Sequence, residues 1–418
     1  MKFLFWLSLF AIFYAYFGYA LVLLAMDSGR RLLKTRQRKT SQPAQEGNLP
    51  DHLLPQVSFI ITAYNEEQRM AGKIENALEQ IYPKEKLEII VASDASTDQT
   101  DDIVRQYSNQ GLRLVRAPER KGKEHAQMHA VRAAAGDILV FSDAATILKP
   151  DALRRIAVNF HDPDIGCVSS EDRFIDRDGN VSGEGLYVRY EMFIRALESR
   201  VNTLVGLSGS FFAARKSVCR NWAPDLQSDF NTVLNAVRMG LKGVSDPQTR
   251  GYYENIADER KEFQRKVRTV LRGITVLMRN REFLNPRKHG LFAWQLISHK
   301  LFRWLVPFFL IIAFAANIAL LSAGPLYIVF FAGQLVFYAS ALVYSLQAVP
   351  AQGKKRANLQ ASQSQAKEKF PALETLKKIF LRLSGIAYYF TSVNASILIA
   401  WFKFAAGKRA TTWEPSKR

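Results

Sequence analysis

The sequence predicts an α/β domain with a mostly parallel sheet, held at a membrane by transmembrane and interfacial α-helices. Three observations predict it. Strand-like and helix-like runs alternate three times between Val57 and Leu153, the pattern of a doubly wound sheet with helices on both faces. Each strand-like run stops at polar or acidic residues: Tyr64, Asn65 and Glu66, then Asp94, then Asp143. Long uncharged runs flank the domain, with basic residues crowded at their ends.

The third strand sets the frame. Ile138–Phe141 has the length and the β-branched and aromatic content of a strand buried on both faces, and Asp143 closes it. After a short turn, Pro150 and Asp151 open a segment in which Leu153, Ile156 and Ala157 recur at helical spacing. Ligands of open α/β sheets gather beyond the carboxyl ends of strands, so Asp143 stands where a ligand would be held.

A formal net charge of +19 over 418 residues suits a nucleic-acid surface or a membrane surface. The basic residues track apolar runs, so the expected partner is the lipid bilayer and no nucleic acid is expected. Residues 3–25 carry no charge, and Arg30, Arg31, Lys34, Arg36, Arg38 and Lys39 follow. Roughly 20 apolar residues span a bilayer. A cleaved signal peptide has an apolar core of about 7–15 residues and a small-residue cleavage site, neither of which fits. Residues 1–28 therefore read as a membrane anchor and 29–56 as a basic juxtamembrane linker rich in Pro, Gly and Gln. The positive-inside rule places the next domain in the cytoplasm and the N-terminus outside. Cys167 and Cys219 stand far apart without metal-ligand spacing and read as buried thiols.

Taken in order, residues 57–67 hold the first strand-like run, residues near 67–80 read as a helix, and the run from Lys86 as a second strand ending at Asp94. A further helix, the basic stretch 119–131 with its own helix, and the strand ending at Asp143 complete the alternation. Three polar strand ends converge on one cleft. Neither G-x-G-x-x-G nor G-x-x-x-x-G-K-[ST] occurs there, which argues against a dinucleotide fold or a P-loop. The competing reading is helix capping. It suits Ser96, Thr97 and Thr100 better than Asp94 and Asp143, which end their strands directly.

The series A-Y-N-E at 63–66, D-A-S-T-D-Q-T at 94–100, R-K-G-K at 120–123 and S-D-A at 142–144 resembles the donor half of family 2 glycosyltransferases. That is the GT-A fold of the cellulose, hyaluronan and chitin synthases. The resemblance runs from Val57 to about Gly273. It implies a nucleotide-sugar donor, with a UDP-sugar the first expectation, a glycan or lipid-linked acceptor, and Mg2+ or Mn2+ as cofactor. It also implies donor-binding roles for Tyr64, Asn65, Glu66, Asp94, Lys123 and Asp143, with Asp143 as metal ligand. Ala145 departs from the family, whose D-x-D carries a second Asp there. One carboxylate can suffice, since such ions keep phosphate and water oxygens.

The second half of the domain, which ends at 258, is expected to serve the acceptor. Residues 206–218 resemble the family's small-residue loop and strand before the catalytic helix. Phe230, Val233, Leu234 and Val237 are spaced as one helical face, from Ser228 to a stop at Gly240. Asp229 sits in the first turn, where a helix dipole favours an acid and keeps it ionised. The family's T-E-D motif has the same spacing to its own glycine, so the resemblance implies that Asp229 is the catalytic base. Asp225 is a less well spaced rival.

Residues 259–302 read as amphipathic interface helices, with Phe263, Val267, Val270, Leu271, Ile274 and Leu277 on one stripe and Arg or Lys over much of the rest. Where processive synthases carry Q-x-x-R-W, this chain aligns Arg265, Lys266, Val267, Arg268 and Thr269. The resemblance gives Arg268 a donor role, neutralising the diphosphate, while a solvated or lipid-facing charge explains it as readily. The missing Trp removes an acceptor-stacking platform and argues against long-chain polymerisation. Residues 303–347 read as a transmembrane hairpin, 348–378 as a basic cytoplasmic loop, and 379–418 as a last membrane segment and basic tail. If that segment spans, its tail lies outside against the charge rule; otherwise the segment is interfacial or re-entrant.

The expected protein is a multi-pass enzyme of the cell membrane: an inverting glycosyltransferase with a cytoplasmic site that makes cell-surface polysaccharide or glycolipid. Sugar transfer to a polyprenyl phosphate is one alternative, and an inactive membrane component of a polysaccharide assembly is another.

Overall fold

The computed structural model describes residues 1–37, 49–175, 186–254, 259–348 and 371–410. Part of the expected linker, most of the loop 348–378 and the tail residues Lys417 and Arg418 lie outside the described residues. The strands are β1 (Val57–Ala63), β2 (Leu87–Ser93), β3 (Leu112–Arg116), β4 (Ile138–Asp143), β5 (Ile147–Leu148), β6 (Ile165–Ile175), β7 (Phe211–Arg215) and β8 (Lys242–Glu254). The helices are α1 (Lys2–Phe13), α2 (Tyr19–Gln37), α3 (Glu67–Leu78), α4 (Thr100–Gln106), α5 (Lys123–Ala133), α6 (Ala152–Val158), α7 (Leu186–Val201) and α8 (Ser228–Arg238). They continue as α9 (Glu259–Arg279), α10 (Pro286–Leu296), α11 (Phe302–Ile318), α12 (Pro325–Ala348) and α13 (Pro371–Ala405). The chain divides into two compact units, one built on the sheet and one on membrane-type helices.

In the first unit eight strands form one sheet in the order β3-β2-β1-β4-β7-β6-β8-β5. β3, β2, β1 and β4 run parallel, with Val57 opposite both Leu87 and Ile138. β7 is antiparallel to β4 and β6, so the sheet is mostly parallel rather than uniformly so. Every residue of β1 is buried, Ser58 and Thr62 included, because helices cover both of its faces; that is why its sequence does not alternate between apolar and exposed polar residues. Phe59, Ile61, Val91, Val140, Met70, Ile74, Leu153 and Ile156 belong to one core.

The helix expected to end at residue 28 continues to Gln37, α1 passing through a π turn at Tyr14–Gly18 into α2. The basic segment propagates a helix readily. Asp27 also anchors it, lying 3.0 Å from Arg31 on the next turn and 3.0 Å from Arg200 of α7.

The second unit comprises residues 1–15, 263–270 and 302–402. Phe5 of α1 packs edge-on against Tyr327 and Phe330 of α12, with centroids 5.6 and 5.5 Å away. Trp401 of α13 donates from Nε1 to the Trp304 carbonyl at 2.8 Å. Phe3, Phe10, Val329, Val336 and Leu346 stay exposed, as side chains facing lipid would. Among the described residues four stretches are long and apolar enough to cross a membrane: Lys2–Leu32, Pro286–Ile318, Pro325–Leu346 and Ile379–Ala405.

Candidate active site

The carboxyl ends of β1, β2 and β4 lie side by side, and the loops that leave them are tied together. Asn65 and Ala95 adopt left-handed backbone, with φ of 51° and 55°, a conformation Asn tolerates better than most residues. The Asn65 backbone N–H donates to Ser96 Oγ at 3.2 Å, and its Oδ1 accepts from the Thr97 N–H at 2.8 Å. The Glu66 N–H donates to Thr100 Oγ1 at 2.8 Å, while its buried carboxylate pairs with Arg69 at 3.2 Å. Asn65 and Glu66 therefore stitch the first loop to the second. Tyr64 carries the Arg120 guanidinium 3.9 Å above its ring, a cation–π contact.

Asp94 is fully buried. Its oxygens accept from the Lys121 N–H at 3.1 Å and the Gly122 N–H at 2.8 Å. It thus holds the loop entering α5 and does not cap α4, and burial raises its pKa against those two bonds. Gly122, at φ 108°, takes a backbone that a side chain would strain.

That loop aims Lys123 inward. Its ammonium pairs with Asp143 Oδ1 and donates to the Gly209 carbonyl at 2.7 Å. Beneath the turn after β4, Lys73 of α3 donates to Ser142 Oγ at 2.9 Å and to the Thr146 carbonyl at 2.5 Å. Burial pushes this lysine down to about 7, with the charge of Asp143 opposing.

The Gly209 loop also abuts Asp229. A Cβ at Gly209 would lie 2.6 Å from Asp229 Oδ2, so only glycine lets the loop and the carboxylate meet. Gln227 Nε2 donates to the same oxygen at 3.1 Å. Asp94, Lys123, Asp143 and Asp229 thus form one continuous set of contacts. Burial raises the pKa of Asp229, with Lys123 and the Gln227 bond pulling the other way. Asp225, the rival base, pairs with Arg279 at 2.6 Å on the surface.

Two participants were not read from the sequence. Glu124 is buried, accepts from the Ser228 N–H at 3.4 Å and pairs with Arg272 of α9. Burial works against the charge of Arg272, but Glu124 first, and then Asp229 and Asp143 at Coulomb range, hold its pKa above the usual value. The only signal in the sequence is its place one helical turn after Arg268. Arg268 itself belongs to the stretch 263–270 of the helical unit.

Residues 58–222 match the family model described as glycosyl transferase family 2. The chain carries a family 2 glycosyltransferase domain. Asp229 and Arg272 lie beyond the matched stretch. The chain is 31% identical over 167 residues to the poly-beta-1,6-N-acetyl-D-glucosamine synthase of Staphylococcus aureus strain COL, covering 38% of this chain and 40% of that protein. It is 26% identical over 179 residues to the synthase of the same name from Staphylococcus epidermidis, covering 41% and 42%. The chain spans about two fifths of the length of these curated relatives. Among solved structures, a mannosyltransferase from Pyrobaculum calidifontis in complex with GDP-Man and Mn2+ superposes with a TM-score of 0.59 at 22% identity, over 93% of this chain and 99% of that one. The glycosyltransferase domain therefore has the GT-A fold.

Proposed function

We propose that the protein is a membrane-bound inverting glycosyltransferase, working at the cytoplasmic side of the cell membrane on a nucleotide sugar, with a UDP-sugar the first candidate. One observation carries this reading: Lys123 bridges Asp143 to the Gly209 carbonyl, and Gly209 lies against Asp229. A cationic donor group and a basic carboxylate thus stand on opposite sides of one glycine.

Asp229 accepts the proton of an acceptor hydroxyl, whose oxygen forms a bond to the anomeric carbon as the bond from that carbon to the diphosphate breaks. The electron pair leaves with the diphosphate, and Lys123 and Arg272 are placed to meet the charge that develops there. Asp94 holds the Lys121–Gly122 backbone that orients Lys123. Among the described residues no three His, Cys, Asp or Glu side chains gather as a metal cage. Asp143 would be the protein ligand of a Mg2+ or Mn2+ ion otherwise held by phosphate and water oxygens, a donor set such hard ions accept. When bound, the ion would supply charge neutralisation on the diphosphate.

The test is turnover of a panel of nucleotide sugars by purified full-length protein in lipid, with Mg2+ or Mn2+ against chelator. Transfer or hydrolysis of one donor, lost on chelation and reduced at least about a hundredfold by Asp229→Asn, is the expected result. Turnover indifferent to Asp229→Asn would remove the base from the scheme.

A further inference from the structure

Next to Asp229 lie two cations that this reaction leaves unused. The Leu207 N–H donates to the Asp229 carbonyl at 3.2 Å, fastening the loop Gly206–Leu207 to the first turn of α8. Arg195 of α7 reaches that loop through Nη2, 3.5 Å from the Leu207 carbonyl. Its Nη1 is buried without a hydrogen-bond partner among the described residues. Lys300 reaches it too: a Cβ at Gly206 would lie 3.3 Å from Nζ, which stands 5.5 Å from the centre of the Phe230 ring. The two charges act on each other, and Lys300 acts on Asp229.

The nearby acids do not close the pair. Glu198 Oε1 accepts from the Tyr19 hydroxyl at 2.6 Å and lies 2.6 Å from His299 Nδ1, and Glu191 Oε2 lies 3.2 Å from His299 Nε2. No hydrogen bond joins either glutamate to Arg195 or Lys300 among the described residues, although both act on Lys300 at Coulomb range. Like charges converging on one short loop, one with a buried donor lacking an acceptor among the described residues, are costly unless an anion joins them. A guanidinium fork beside an ammonium suits an oxyanion such as phosphate or carboxylate. The donor diphosphate already has Lys123 and Arg272, so an anion held here belongs to the other substrate.

We infer that Arg195 and Lys300 bind an anionic group, phosphate or carboxylate, carried by the acceptor close to the hydroxyl that Asp229 deprotonates. This rests on the assignment of Asp229 as base, and the test separates the two. Full-length protein in lipid nanodiscs is given one donor and three acceptors ending in the same sugar: a saccharide on polyprenyl diphosphate, a uronate-bearing oligosaccharide and a neutral oligosaccharide. The wild type is expected to favour one anionic acceptor by about tenfold or more in kcat/KM, the scale of one charge-assisted hydrogen bond. The favoured arm tells phosphate from carboxylate. Arg195→Gln and Lys300→Gln should raise KM for that acceptor by about tenfold and leave KM for the donor and the neutral acceptor within about twofold, while Lys300→Arg keeps the preference. Equal use of all three acceptors, or equal losses on neutral and anionic ones, overturns the inference. Calorimetry needs no turnover: with UDP saturating the donor side, a short prenyl phosphate or glucuronate should bind the wild type and neither Gln variant, and binding of neither probe also overturns it. Transfer to bare polyprenyl phosphate that survives Asp229→Asn but not Arg195→Gln would keep the anion site and overturn the base assignment.

Discussion

At the scale of single residues, burial sets the chemistry of Asp229. Its pKa is raised, and a base works only when ionised, so activity should fall as pH drops through a value above the ordinary carboxylate range. The acid limb of kcat/KM against pH reports it; a limb below pH 4 would contradict the burial. Gly209 is the second lever. Gly209→Ala puts a methyl group 2.6 Å from the Asp229 carboxylate, and a displacement of this size should lower kcat by roughly a hundredfold with little change in donor KM. Lys73 gives a stability signature. Its folded pKa, about 7, lies below the ordinary lysine value of 10.5, so between those values the unfolded chain binds more protons and stability rises with pH. The advantage of the wild type over Lys73→Met should therefore grow from pH 7 towards pH 10, by at most about 1.4 kcal/mol per pH unit; a flat difference in unfolding temperature would deny it.

Elements differ in how openly the sequence declares them. β1, β2 and β4 are largely apolar because helices cover both faces, and Asn65, Asp94 and Asp143, at or just past their ends, mark the ligand edge. β3 escaped notice: in Leu-Arg-Leu-Val-Arg the basic residues Arg113 and Arg116 break the apolar run, as suits a strand at the sheet edge. Asp94, Asp143 and Asp229 were legible as strand-end and helix-start acids. The bridge from Lys123 to Gly209 was not, because its partners lie 86 positions apart and meet only through the crossovers of the sheet. The Glu124–Arg272 pair was hidden for the same reason. It is a buried pair, with side chains 3% and 13% exposed, so removing one partner should cost far more than removing both. Glu124→Leu should lower stability by about 3 kcal/mol, and adding Arg272→Met should recover part of that loss. Thermal unfolding of the two single variants and the double variant gives the coupling, and purely additive losses would mean the pair is not closed.

For the whole molecule the open quantity is sidedness, and counting spans makes it testable. Among the described residues four stretches are long and apolar enough to cross a bilayer, and the basic cluster after the first favours holding the glycosyltransferase domain inside. On the proposed orientation, two further crossings, within residues 286–318 and 325–346, would return the chain to the inside at residue 348. A fourth crossing at 379–405 would then export the basic tail against the charge rule, in which the first helix usually dominates. Cys167 and Cys219 are both buried, with thiols pushed well above their ordinary pKa by burial, so the native chain is a quiet background for thiol labelling. Ser416→Cys should react with a membrane-impermeant maleimide on intact cells, and Ser362→Cys only after permeabilisation. Labelling of Ser416→Cys that also requires permeabilisation would mean that residues 379–405 re-enter or lie along the surface rather than cross.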